Sequence, residues 1–275
     1  MSTERIALGL EYDGSAFCGW QTQPRVRTVQ ETLEAALSRV ADHPVRLQCA
    51  GRTDAGVHAL EQVVHFDTTA SRTARAWVLG SNVNLPADCA VSWAQPVPPA
   101  FHARFCACAR HYRYRILTRP TRSPLERDRA LWIHRPLDFG RMQAAAAALV
   151  GEHDFTSFRA LGCQAKSPVR RIHYLDLTKA AGVIELRVAA NGFLHHMVRN
   201  IVGVLLAIGR GDAPVDWTQE LLAVRDRTRG GVTAAPQGLY FVRADYPAEF
   251  GLPQRLHDLL GKTEGCGRRG AIGQD

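Results

Sequence analysis

Lysine is almost missing from this sequence: Lys166, Lys179 and Lys262 are the only lysines among 34 basic residues. Seven cysteines are present without one C-x-x-C pair, and Cys106-Ala107-Cys108 is too close for the usual chelate. That excludes a zinc ribbon and a disulfide framework, so the thiols read as reduced and mostly buried. No apolar run approaches the roughly 20 residues of a membrane helix, the longest helical one being Ile201 to Ile208. Met1 to Arg5 lacks the basic-then-apolar pattern of a signal peptide, which predicts a cytoplasmic protein with no membrane partner. A glycine-rich phosphate loop with lysine is absent too, as is any motif with metal-ligand spacing.

What is there is an ordinary globular composition: 275 residues, 46% hydrophobic and 22% charged, enough for one large domain or two intimately packed ones. Basic residues exceed acidic ones by 34 to 26, which favours an acidic partner such as nucleic acid. The preference for arginine fits bidentate phosphate contacts and genome composition equally well.

Arg5 to Tyr12 alternates as a strand and is broken by Asp13-Gly14-Ser15 before the aromatic segment Phe17 to Trp20. Thr28 reads as an N-cap with Glu31 three residues on, opening a helix whose apolar face is Val29, Leu33, Ala36, Leu37 and Val40. Val45 to Ala50 and Gln62 to Phe66 read as short strands around a loop from Gly51 to Ala59. A helix over Ala74 to Leu79 is expected to end before Asn82-Val83-Asn84-Leu85-Pro86. The second half opens with a strand from His111 to Leu117 and a basic, turn-rich connection through Pro120, Pro124 and Arg129. A helix from Asp138 to Val150 follows, then a hairpin pairing Pro168 to Leu177 with Val183 to Ala190 about Lys179 to Gly182. Phe193 to Ile208 is the most strongly helical segment, ended by Gly209 and Gly211, before a short helix from Asp216 to Val224 and a last strand from Gly238 to Asp245.

Strands and helices thus recur in similar order, which predicts a duplicated α+β fold whose halves share one mainly antiparallel sheet, with the active cleft between them. The expected division is residues 1–105, residues 106–250 and a flexible glycine-containing tail over 251–275.

The run Gly51-Arg52-Thr53-Asp54-Ala55-Gly56-Val57-His58 sets a carboxylate between two glycines, with a cation two residues before and an imidazole four after. Spacing alone describes a tight turn as well as it describes a catalytic loop. Arg199 adds weight, because it interrupts the apolar helix, shares a face with His195, His196, Val202 and Gly203, and needs an anionic partner there. An arginine beside a carboxylate favours the ionised form of the acid. Between Arg104 and Arg129, eight arginines face only Glu126 and Asp128. Several alternate with Tyr112 and Tyr114, which suggests a cationic face and an aromatic face for RNA, or else a solvated basic edge strand.

Taken together, Glu11-Tyr12-Asp13-Gly14, Gly19-Trp20-Gln21, Gly51 to His58, Phe101-His102-Ala103-Arg104-Phe105, Tyr112-Arg113-Tyr114, Asp154 to Arg159, His195 to Gly203 and Gly238-Leu239-Tyr240 resemble the TruA-type tRNA pseudouridine synthases. The resemblance runs from Ile6 to Tyr246. It implies the pseudouridine synthase fold and isomerisation of uridine to pseudouridine at positions 38, 39 and 40 of the tRNA anticodon stem-loop, by a homodimer without metal or organic cofactor. It further implies Asp54 as nucleophile, Arg199 as its partner, Tyr112 against the target base, Arg52 holding the nucleotide out of the stack and Leu239 as an apolar wall. Phe101 to Phe105, Arg72 and Arg159 would contact the tRNA, the arginines through backbone phosphates that position the RNA without reading its sequence. Phe17-Cys18 and Arg110-His111 depart from the commoner family pattern, away from the implied chemistry.

Two rivals from other classes stand beside this reading. A non-catalytic RNA-binding protein would need only the arginines and tyrosines, and a carboxylate-dependent hydrolase would use Asp54 with His58.

Overall fold

The computed structural model describes residues 3–253, so the expected tail beyond them lies outside the described residues. Ten strands form one sheet: β1 (Glu4–Tyr12), β2 (Gln48–Cys49), β3 (His58–Thr68), β4 (Cys89–Val97), β5 (Ala109–Thr118), β6 (Leu131–Ile133), β7 (Gly151–Asp154), β8 (Val169–Ala180), β9 (Val183–Ala190) and β10 (Leu239–Asp245). Their order is β4-β1-β3-β10-β5-β9-β8-β7, with β2 on β3 and β6 on β5. Every pairing is antiparallel except β10 with β3 and β5 with β6, so the sheet is mainly antiparallel, as expected.

Five α-helices cover it: α1 (Val29–Ala41), α2 (Ala74–Asn84), α3 (Phe139–Ala147), α4 (Met197–Arg210) and α5 (Trp217–Val224). The α1 N-cap is as expected, with Thr28 Oγ1 accepting from the Glu31 amide. Its buried face of Val29, Leu33, Leu37 and Ala41 joins Ile6, Leu8 and Leu10 of β1 and Trp77 of α2 in one core. A second core gathers Tyr114, Ile116, Met142, Leu186, Val188, Ile201 and Leu205 from β5, α3, β9 and α4. The two meet at β10, where Leu239 belongs to the second core and Phe241 to the first.

Several boundaries differ from expectation. Strand β3 begins at His58 and runs to Thr68, because His58, Glu61, Gln62 and His65 are buried inside it and hide the usual alternation. The strand expected over Val45 to Ala50 shrinks to β2, while β4 goes unmarked in the sequence because Pro96 sits in it, tolerated on the sheet edge. Helix α2 continues to Asn84, with Asn82 exchanging two hydrogen bonds with the Val91 backbone of β4. The helix expected from Phe193 starts only at Met197, since His196 adopts a left-handed conformation with φ 62°. Gly211, at φ 83°, caps that helix, whereas Gly209 lies within it against Met142.

Two readings of side chains are also corrected. Of the six cysteines described, only Cys49 and Cys89 are buried, since Cys18 is on the surface and the other three are half-buried. Strand β5 lies in the middle of the sheet, between β10 and β9, so it is no solvated basic edge.

Candidate active site

The Gly51 to His58 segment is a turn clamped from several sides. Thr53 is buried, with its hydroxyl on Tyr12 Oη at 2.8 Å and its carbonyl accepting from the Trp20 amide at 3.0 Å. Gln62 Nε2 donates to the Gly51 carbonyl at 2.6 Å, and the Val57 amide closes onto the Asp54 carbonyl at 3.1 Å. Gly56 takes φ +77° as the third residue of that closed turn, a conformation costly for any other residue. The tight-turn reading holds, and the turn lifts Asp54 to a half-buried position facing α4.

Arg199 comes from the first turn of α4. Its Nη1 donates to Asp54 Oδ2 at 2.8 Å and its Nε donates to the Ala234 carbonyl at 2.8 Å. The guanidinium, only 14% exposed, is held from two sides. The strap carrying Ala234 lies tight on α4: a Cβ on Gly203 would collide with the Val232 carbonyl. Arg227 and Thr233 both reach Asn200 Oδ1, at 3.1 and 2.7 Å, and fix the strap to the helix.

Tyr112 lies on β5 with its ring edge-to-face between Phe193 and Phe241, centroids 5.0 and 5.2 Å away. It packs on both cores. Burial, and then the Asp54 carboxylate, push its phenol above the ordinary range, so it stays protonated at neutral pH. Gly51 leaves room beside the Tyr112 hydroxyl, which stands 3.6 Å from where a Cβ would be.

Arg52 is exposed at the rim and makes no ion pair among the described residues. In the segment Phe101 to Phe105, Phe101 and Ala103 are fully buried and support the loop, while Arg104 and Phe105 are exposed and His102 is half-buried. Phe105 stacks obliquely on His102, centroids 4.3 Å apart, and Arg104 lies over the Phe105 ring at 5.5 Å. Arg159 ends a short turn whose next residue, Ala160, donates its amide to the His195 carbonyl at 2.9 Å, so it flanks the Asp54 cluster. Arg72 stands before α2 with its Nε on the Val40 carbonyl, and Leu239 is buried in the second core.

His58 does not belong with Asp54. It is buried, stacks on Tyr240 at 4.6 Å, accepts the Gly14 amide on Nδ1 and places Nε2 2.7 Å from the Asp128 carbonyl. This removes the imidazole on which a hydrolase reading depended. The arginines of β5 are also largely consumed internally. Arg115 pairs with Glu126 at 2.8 Å, Arg113 lies 3.8 Å from Glu185 and over the Tyr240 ring, and Arg110 donates to the Ala50, Ala107, Asn191 and Arg104 carbonyls.

Sequence reasoning placed His195 and His196 on the face of Arg199 without giving them a place at Asp54. Their Nε2 atoms stand 3.5 Å from Asp54 Oδ1 and 3.3 Å from Oδ2. The backbone turns left-handed at His196, between the two rings and α4, and no periodicity in the sequence carries that signal.

No helix among the described residues is long and apolar enough to cross a membrane. The profile of the family described as tRNA pseudouridine synthase matches residues 10–106 and 145–247, segments that contain Asp54 and Arg199. A relative from Nitrosococcus oceani named tRNA pseudouridine synthase A is 60% identical over 250 residues, covering 91% of this chain and 96% of its own. One of the same name from Pseudomonas aeruginosa is 58% identical over 252 residues, covering 91% and 88%. With these identities spanning nearly the whole of both chains, the chain belongs to the tRNA pseudouridine synthase family.

Proposed function

We propose that the protein isomerises uridine to pseudouridine at positions 38, 39 and 40 of the tRNA anticodon stem-loop, with Asp54 as nucleophile. The observation that carries this reading is the Asp54 carboxylate at the tip of a clamped turn, with Arg199 on one oxygen and Tyr112 alongside.

The reaction conserves every atom. The bond from uracil N1 to the ribose breaks, the base turns, a bond forms from C5 to the ribose, and the hydrogen on C5 leaves as N1 gains one. A single carboxylate serves whether it attacks the base or the sugar. Arg199 fixes Oδ2 and leaves Oδ1 directed at the incoming nucleotide. A uridine within the stem must first be extruded, at a cost of about a few kcal/mol. Exposed Arg52 is suited to fill the vacated space, and the Tyr112 ring to stack on the base, with Leu239 behind it. Arg104, Phe105 and His102, together with Arg72 and Arg159, track the backbone. In this reading residues 1–105 supply Asp54 and residues 106–250 supply Tyr112 and Arg199. The protein acts in the cytoplasm as a homodimer with tRNA lying across both protomers.

The test is release of label from C5 of uridine in transcribed tRNA. We expect release by the unaltered protein, none by Asp54→Asn, and retained tRNA binding by that variant. Label release by Asp54→Asn at the unaltered rate would overturn the assignment of Asp54.

A further inference from the structure

We propose that Asp54, His195 and His196 form a site for a borderline divalent cation, Zn2+ before others, and that its occupancy shuts the active site. The inhibitory half rests on Asp54 being the reacting carboxylate; the binding half does not.

One donor atom from each of the three residues lies within 4.8 Å of the other two. Tetrahedral zinc with bonds of about 2.0–2.1 Å places neighbouring ligands roughly 3.3–3.4 Å apart. Against Oδ1, the oxygen left to the cation, His195 Nε2 stands at 3.5 Å, near that spacing, while His196 Nε2 stands 3.3 Å from Oδ2 of the same carboxylate. Among the described residues only Arg199 donates a hydrogen bond to the Asp54 side chain, so both imidazoles face the carboxylate without that bond.

The rings are also held for the purpose. Although His196 sits at the N-cap of α4, its side chain makes no capping bond, and its left-handed backbone aims the ring at Asp54 instead of the helix end. The two rings lie 4.0 Å apart. Arg199 on Oδ2 is not a ligand but can act as the outer partner of a ligating carboxylate, leaving Oδ1 to the cation.

Two nitrogens and one oxygen suit zinc, cobalt, nickel and copper. Magnesium prefers oxygen ligands in an octahedron and sheds water reluctantly, so the magnesium that accompanies folded RNA does not compete. With Arg199 adjacent the occupied site carries excess positive charge, which weakens affinity. His195 is half exposed, so the fourth position opens to solvent. A cation there takes the lone pair with which Asp54 would attack.

The experiment titrates metal-free full-length protein with Co2+ and follows the visible absorption of tetrahedral cobalt. We expect one equivalent, displaced by Zn2+, unaffected by millimolar Mg2+, and weakened at least tenfold in both His195→Ala and His196→Ala. Absence of the band, its persistence in both variants, or a near-ultraviolet thiolate band marking cysteine ligands overturns the site. In parallel, C5 label release at constant Mg2+ is measured with and without Zn2+. Inhibition that chelator reverses, and that needs at least tenfold more Zn2+ in His195→Ala, supports the switch; equal sensitivity overturns it. Failure of label release in metal-free protein overturns the proposed reaction alone, because the cobalt titration reads the site without it.

Discussion

Asp54 and Arg199, 145 residues apart in the chain, meet at 2.8 Å, and the same guanidinium is anchored behind by the Ala234 carbonyl. The arginine thus has one orientation, and its position decides that of the carboxylate. Arg199→Lys keeps the charge and loses the second anchor; Arg199→Ala also leaves Asp54 without its hydrogen bond. A charge-assisted bond of about 1.5–3 kcal/mol corresponds to roughly a 10- to 100-fold loss in rate. We expect the lysine variant near the lower figure and the alanine variant at or beyond the upper, read as single-turnover label release with tRNA affinity little changed.

The strap over α4 offers a test remote from the chemistry. Gly203→Ala pushes a methyl group into the Val232 carbonyl and displaces the segment that carries Ala234. Overpacking of this kind costs about 1–3 kcal/mol, each worth roughly 2–4 °C in a protein of this size. The expected result is a lowered Tm together with a slower single turnover. An unchanged Tm would show that the strap yields freely.

Tyr112 is held protonated by burial and by Asp54. A raised pKa means that the neutral phenol persists above its ordinary value of about 10. The pH profile of label release is therefore expected to show no Tyr112 ionisation up to that pH. Tyr112→Phe should preserve the stacking surface and tRNA affinity, whereas Tyr112→Ala loses both.

Acid stability should fall in two steps. Burial brings His65 down to about 4, so above pH 6.5 its neutral form favours the fold, and that contribution is lost as pH falls towards 4. Between pH 7.5 and 5 the loss amounts to about 2 kcal/mol, measured by urea unfolding. His65→Asn, whose amide oxygen can accept the Ala103 amide that Nδ1 now accepts, should flatten this step. Asp245 follows: burial works to raise it, but His111 and Arg243 hold it at about 2, so its contribution is lost between pH 3.8 and 2.

The arginines separate into two classes by salt dependence. Arg104→Gln should weaken tRNA binding and reduce the slope of log affinity against log salt by about 1. Arg115→Gln leaves the half-buried Glu126 without its partner, so it should lower Tm slightly and leave that slope alone.

How much of this could be read from the residues depended on whether a position broke a local rule. Arg199 was legible because a guanidinium in an apolar helix demands a carboxylate, and the Thr28 cap because its partner is three residues away. Strand β4 was not, since Pro96 argues against a strand unless the edge position is known. The basic content of β5 pointed to an edge or an RNA face, and its true place in the middle follows only from pairing with β10 and β9, partners distant in sequence. His195 and His196 were visible as a pair but not as neighbours of Asp54, because helical spacing was assumed where the chain takes a single left-handed step.

Strand β10 has a consequence for how the protein is made. It is the last strand of the described residues, yet it lies between β3 and β5, joining them through one parallel and one antiparallel ladder. A nascent chain that stops short of Leu239 holds two partial sheets with open inner edges, the kind of surface that recruits other strands. The two partial sheets therefore join only once the chain has been made through Asp245. A product terminated before that strand is expected to aggregate through those two edges, and a chaperone guarding them would find its work done once this one strand slots in.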